Sequence, residues 1–254
     1  MNQYAAWLNK FDELQPSMLW CHTTDAYVLR NLIEYECFQP QQCEYFNERL
    51  TYFFYGRPAY KTRRDENIRH TANAPITIIL KPEIVSYAKN IYPFDTGAFW
   101  TKRYAKWMHS KMDLSSFNVS MVSNAQFKHV KAFYGSNLSY FDCIASVQKE
   151  NLIGEFEAEA IAGLISDQNS DDADDRKITF EISTDQSVPF TNKYIDTIVG
   201  PKSLLSASWF NDFISKSKIN FVPYDLNYLK PAIEYQALFE EKVKNIQSIK
   251  GILS

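Results

Sequence analysis

The stretch LWCHTTDAYVLRNLIEYECFQP, Leu19 to Pro40, constrains the fold more than any other: a short apolar run passes through His-Thr-Thr directly into a segment with helical spacing. SMLWCHT reads as a strand, and DAYVLRNLIEYE as a helix capped by the Asp25 carboxylate. A chain written this way must join sheet and helix within one core. The His at the join is one of only four in the chain. At the end of a buried strand, an imidazole either donates a fixed hydrogen bond to a ligand or packs at the sheet margin.

Further strands follow. LTYFFYGRPAY (Leu50 to Tyr60) is rich in β-forming aromatics and is stopped by Gly56 and Pro58. PITIILKP is bracketed by Pro75 and Pro82. RKITFEIST alternates, with Ile178, Phe180 and Ile182 on one face and Thr179, Glu181 and Ser183 on the other, so Glu181 belongs to the polar face. YIDTIVGP and INFVPYDL are two more strands, separated by the helix-like KSLLSASWFNDFISKS. Helices are expected over TKRYAKWMHSKM, ENLIGEFEAEAIAGLI and the two ends: an N-terminal helix over about residues 1–15 and a C-terminal one over about 229–250, with Pro231 near its first turn. YPFDTGAFW reads as a loop, and Asp113 to Gln148 shows no clear period. This order implies an α+β fold with a twisted mixed β-sheet split into two halves and helices at both ends, formed by one domain over residues 1–254.

Composition excludes several classes. An apolar fraction of 45% with 22% charged residues belongs to a packed protein, and a net charge of −3 gives no global positive field for nucleic acid. The four Cys, at 21, 37, 43 and 143, form no C-x-x-C pair, which fits a reducing compartment and neither a zinc ribbon nor a disulfide framework. The first residues, MNQYAAWLNKFDELQ, lack the basic and apolar regions of a signal peptide, and no apolar run approaches the length that spans a bilayer. A cytoplasmic protein with no membrane partner is expected. His70, His109 and His129 are scattered and DDADD lacks a calcium loop's Gly and Glu, so no metal is expected. The DTGA at Asp95 to Ala98 has no second Asp-Thr-Gly with which to form a protease dyad.

LWCHTTDAYVLRNLIEYECFQP resembles the first strand and helix of the ADP-ribosyltransferase-like fold, a strand ending in His-x-Thr followed by a helix with Leu-x-x-Ile spacing. LTYFFYGRPAY is similar to that family's second strand, where an aromatic residue borders the nicotinamide pocket. The resemblance covers about a quarter of the chain. It implies NAD as substrate and transfer of ADP-ribose to a macromolecular acceptor, nucleic acid or protein. It places a catalytic Glu on a late strand; by their own chemistry His22 with Thr23, and Tyr52 or Tyr55, are the candidates for NAD contacts and for the site, and Arg57 is a secondary candidate for a phosphate. The chemistry asks for the same parts: an oxocarbenium-like ribose needs a carboxylate, its hydroxyls need a fixed partner, and the departing ring needs an aromatic surface.

Two carboxylates qualify. Glu181 stands on the polar face of its strand; Glu157 interrupts a helical stripe with Ile153, Ile161 and Leu164, and Glu155 and Glu159 share another face. No Gln-x-Glu or Glu-x-Glu occurs at the expected strand. Basic groups interleaved with aromatics in TKRYAKWMHSKM and YKTRRDENIRH have the chemistry for phosphates and unstacked bases. The rival expectation is therefore a catalytically inactive module of the same architecture that binds a nucleotide or nucleic acid.

Overall fold

The computed structural model describes residues 1–59, 68–167 and 175–253. The strands in chain order are β1 (Trp20–Asp25), β2 (Cys37–Phe38), β3 (Gln41–Cys43), β4 (Glu48–Tyr55), β5 (Pro75–Leu80), β6 (Asn90–Tyr92), β7 (Glu181–Thr184), β8 (Val188–Pro189), β9 (Ile195–Pro201) and β10 (Asn220–Tyr224). The helices are α1 (Gln3–Leu8), α2 (Ala26–Glu34), α3 (Thr96–Trp100), α4 (Ala125–Phe133), α5 (Asn137–Phe141), α6 (Phe156–Ser166), α7 (Ser208–Ser217) and α8 (Gln236–Ile249). The main sheet runs β10-β9-β5-β1-β4-β7-β6, with β3 also on β4, while β2 and β8 pair separately. Only β9 and β10 are parallel to each other, so the fold is α+β around a mixed sheet.

The Asp25 carboxylate accepts from the Val28 amide at 2.8 Å and starts α2, whose Ala26, Leu29 and Leu32 face the core. Every residue of β5 is buried, because a central strand covered on both faces has no use for alternation. β1 is different. Its register with β5 covers all six of its residues, but with β4 only Trp20↔Tyr55 and Cys21↔Phe54. The sheet is thus two ladders joined by a short seam, and burial along β1 falls where the seam ends: Trp20 and Cys21 are buried, and His22 to Asp25 are half-buried.

The C-terminal helix secures this seam. Gly56 N donates to Leu19 O at 2.8 Å. The fully buried Gln247 of α8 accepts from Leu19 N at 3.0 Å and donates to Gly56 O at 2.9 Å, completing the backbone bonding of both strands at their join. α8 is therefore bonded into the sheet, where an appended helix over 229–250 was expected; a 3-10 turn at Ala232–Tyr235 precedes it.

Several local expectations are corrected. α1 spans six residues, not fifteen. TKRYAKWMHSKM is not a helix: α3 stops at Trp100, Lys102 adopts φ 58°, and the segment turns to set Trp107 against Gly163 of α6. DTGAFW, read as loop, is α3 itself with Asp95 as its cap. The strand read over 176–184 begins only at Glu181, after a 3-10 turn at 175–178. The aperiodic region from Asp113 holds α4 and α5, whose buried His129 lies 3.2 Å from the Tyr4 hydroxyl.

Replacing Gln247 with Leu leaves the Leu19 N–H and the Gly56 C=O buried without partners, each worth about 1–3 kcal/mol. Urea unfolding of Gln247→Leu is expected to show a loss of about 2–4 kcal/mol with an unchanged m-value.

Candidate functional site

Where the seam ends, a cavity of about 1530 Å³ opens, lined by residues of β1, α2, β3, β4, the start of α3 and the first residue of β7. Backbone alternation explains its wall. Ala26 N donates to Ala74 O at 2.9 Å, so even-numbered residues of β1 bond toward β5 and odd-numbered ones point toward β4. Continued by two residues, the β1–β4 register would set Thr23 opposite Tyr52. Instead the His22 imidazole takes the Tyr52 carbonyl, with Nδ1 donating at 2.9 Å. The N–H and C=O of Thr23 are left turned into the cleft, and its hydroxyl donates to Ala59 O.

That bond fixes the His22 tautomer. A carbonyl only accepts, so Nδ1 carries the proton and Nε2 keeps its lone pair. Burial among Phe38 and Phe53, whose ring centroids lie 5.2 and 5.7 Å away, pushes the His22 pKa below its usual value; the Tyr52 bond opposes this.

Of the two tyrosine candidates on β4, the fold separates one from the other. Tyr52 is half-buried, lines the cavity, and donates its hydroxyl to Cys43 Sγ at 2.9 Å. Tyr55 is fully buried; its hydroxyl accepts from Met18 N at 2.9 Å and its ring packs on Trp20, so it belongs to the core. Arg57 is also outside the cavity lining: it is buried, with Nη2 3.4 Å from Glu240 of α8 and its guanidinium over the Phe141 ring.

Glu181 enters the cavity wall from the far side of β4. The β4–β7 register places it beside Phe54, so with Tyr52 it shares the face that carries Thr23. The alternation read in the sequence holds, but the polar face is buried: Glu181 is 2% exposed and Ser183 1%. Thr96 holds its carboxyl, with the hydroxyl donating to Oε1 at 2.8 Å and the amide to Oε2 at 3.4 Å. Burial, and next the neighbouring Asp95 carboxylate, push the Glu181 pKa well above the usual range; the Thr96 bonds oppose them. Glu157 is not part of this constellation. It lies half-buried in the first turn of α6, outside the lining, and Ile153, which was expected to share its stripe, precedes the helix and is exposed.

Three groups of the site were missed from the sequence, of which Asp95 and Thr51 line the cavity and Thr96 holds Glu181. Asp95 and Thr96 had been read only against a protease dyad; the Asp at the start of a short helical run was the available signal. The Thr51 hydroxyl, buried and without a hydrogen-bond partner, lines the same cavity, and nothing in the local sequence marks it. Compared with models of known protein families and with curated proteins, the chain finds no match in either. Function must then be read from the cavity's own chemistry.

Among the described residues, the lining carries the acids Asp25, Glu44, Asp95 and Glu181 and the cation Arg103. The basic-aromatic face expected over Lys102, Lys106 and His109 does not form; Lys106 lies over the Trp107 ring and 3.4 Å from Asp167. Lys61, Arg63 and Arg64 lie outside the described residues, and Arg69 is exposed. Among the described residues no helix is long and apolar enough to cross a membrane, and no cluster of His, Cys, Asp and Glu is arranged to hold a metal ion.

A carboxyl whose folded pKa is raised adds stability that is complete below the ordinary Glu value of about 4.3 and is lost as pH rises toward the folded value. Unfolding of Glu181→Gln and wild type, compared from about pH 5 to about pH 8, is expected to show the variant gaining relative stability steadily with pH. A constant difference across that range would mean that Glu181 carries its charge in the folded state at no cost.

Proposed function

We propose that the cavity binds NAD and that the protein transfers ADP-ribose from it to a macromolecular acceptor, nucleic acid or protein, on an ADP-ribosyltransferase-like arrangement of the sheet. The observation that carries this reading is the meeting, in one cavity, of the open Thr23 strand edge, the Tyr52 ring and the buried Glu181 carboxyl. A primary carboxamide offers one acceptor oxygen and one donor NH2, which match the adjacent N–H and C=O of Thr23. Tyr52 supplies an aromatic surface for the ring that carries that carboxamide.

The electrostatics support the same ligand. The nicotinamide ring of NAD is cationic, and a cation entering beside Glu181 and Asp95 favours their ionised forms. The ionised Glu181 then faces the positive charge that develops on the ribose as the bond to nicotinamide breaks. The lone pair on His22 Nε2 accepts from a ribose hydroxyl, and the orphaned Thr51 hydroxyl gains a partner from any polar ligand. At about 1530 Å³ the cavity exceeds the roughly 300–1,000 Å³ of an ordinary small-molecule pocket, which leaves room for an acceptor group beside NAD.

Calorimetry is expected to show NAD binding to the wild type. Turnover of NAD by Glu181→Gln is expected to fall about 10²- to 10³-fold with a much smaller change in affinity, since the lost charge matters most in the transition state. His22→Ala is expected to weaken turnover and, by leaving the Tyr52 carbonyl without its donor, to lose about 1–3 kcal/mol of stability. Absence of NAD binding at millimolar concentration would sink the proposal and leave the inactive nucleotide- or nucleic-acid-binding module in its place.

A further inference from the structure

We infer that Asp95 is a second functional carboxylate of this site, the base that accepts the proton of the attacking acceptor group. The inference rests on the NAD reading above and assigns a role that neither the resemblance nor the sequence motif supplies.

The geometry has three parts. Asp95 and Glu181 line the same cavity and are both buried, at 7% and 2% exposure. Asp95 is oriented by the helix it caps, with Oδ1 accepting from the Ala98 amide at 3.0 Å. The next residue, Thr96, fixes the Glu181 carboxyl through both its hydroxyl and its amide. One turn of backbone, Asp95–Thr96, thereby sets the spacing between two carboxyls entering from different elements. Gly97 belongs to the same device, because a Cβ there would stand 3.0 Å from Asp95 Oδ1.

Burial, and next the Asp95 carboxylate beside it, favour the protonated form of Glu181 in the empty site. Tyr52 on β4 and Tyr92 on β6 are held protonated chiefly by burial, Cys43 on β3 is the acceptor of the Tyr52 hydroxyl, and Arg103 lines the cavity beyond α3. When the cationic ring of NAD enters, the Glu181 proton leaves to solvent and both carboxylates become available. The C1′–N bond to nicotinamide then breaks, its electron pair leaving with neutral nicotinamide while Glu181 faces the ribosyl cation. A lone pair of the acceptor forms the new bond to C1′, and the acceptor's proton passes to Asp95, from which it returns to solvent. With water as acceptor the same step is hydrolysis.

Asp95→Asn separates this role from helix capping, because Asn caps a helix as well as Asp does and keeps the Ala98 bond. Wild type and variant are compared by NAD calorimetry in two buffers of different ionisation enthalpy, by NAD turnover across pH, and by titration of the Glu181 carboxyl in the ligand-free proteins by carbon NMR. The expected result is that Asp95→Asn keeps or improves NAD affinity, releases fewer protons on binding, lowers the Glu181 titration, and loses about 10²-fold or more in turnover together with the acidic limb of its pH profile. Unchanged turnover and unchanged proton release in Asp95→Asn would overturn the inference and reduce Asp95 to a helix cap. The NMR arm needs no NAD: were the wild type not to bind it, the NAD reading fails by itself, while a Glu181 titration indifferent to Asp95→Asn overturns the coupling of the two carboxyls whatever the ligand.

Discussion

The architecture of the site depends on one hydrogen bond, from His22 Nδ1 to the Tyr52 carbonyl. It substitutes a side-chain donor for the backbone donor that would continue the β1–β4 ladder, so the two ladders stay joined at Trp20 and Cys21 and part beyond them. A sheet that parts exposes strand-edge N–H and C=O groups, which ordinarily need a partner. Here the edge of Thr23 borders a cavity instead of bulk solvent. The imidazole is well suited to the task. It reaches the carbonyl, and its burial favours the neutral form.

A seam of two residue pairs would be weak by itself. It is held because Gln247 of α8 bonds both strands at the join and because Tyr55 and Trp20 pack across it on the core side. The C-terminal helix thus bears on the site twice: through Gln247 it closes the sheet at the point from which the opening begins, and its first residue, Gln236, lines the cavity. Arg57 follows the same division of labour, placed by Glu240 and Phe141 against the C-terminal side of the molecule.

The opposite wall concentrates acid. Burying Glu181 beside Asp95 costs stability, and Thr96 offsets only part of that cost through its two bonds. A perturbed carboxyl in a cavity is on physical grounds a candidate functional group. Tyr52 connects the two walls: its carbonyl belongs to the seam, its ring to the cavity, and its hydroxyl to Cys43 on β3.

The strands with strong local signals were legible. The apolar runs that became β1, β5, β9 and β10, the Asp25 cap and the alternation around Glu181 follow from side-chain period and turn chemistry, which act over a few residues. The candidates His22, Thr23, Tyr52 and Glu181 were likewise visible as residues, and they do line one cavity. What the sequence could not rank was Tyr52 against Tyr55, and it set Glu181 ahead of Glu157 without showing whether either reaches a cavity. On a strand the alternation says that two faces differ, and on a helix the period says which residues share a stripe; neither says which side the rest of the chain will cover. Only tertiary contacts settled that Tyr55 faces Trp20 and Tyr140, that Glu157 stands away from the cavity, and that the polar face of β7 is buried. The same limit hid Asp95, Thr96 and Thr51, because their importance comes from partners and spaces supplied by residues distant in the chain. Local physics determined where this chain extends and coils; the register of β1 on β4, a long-range pairing fixed by packing, decided where it opens.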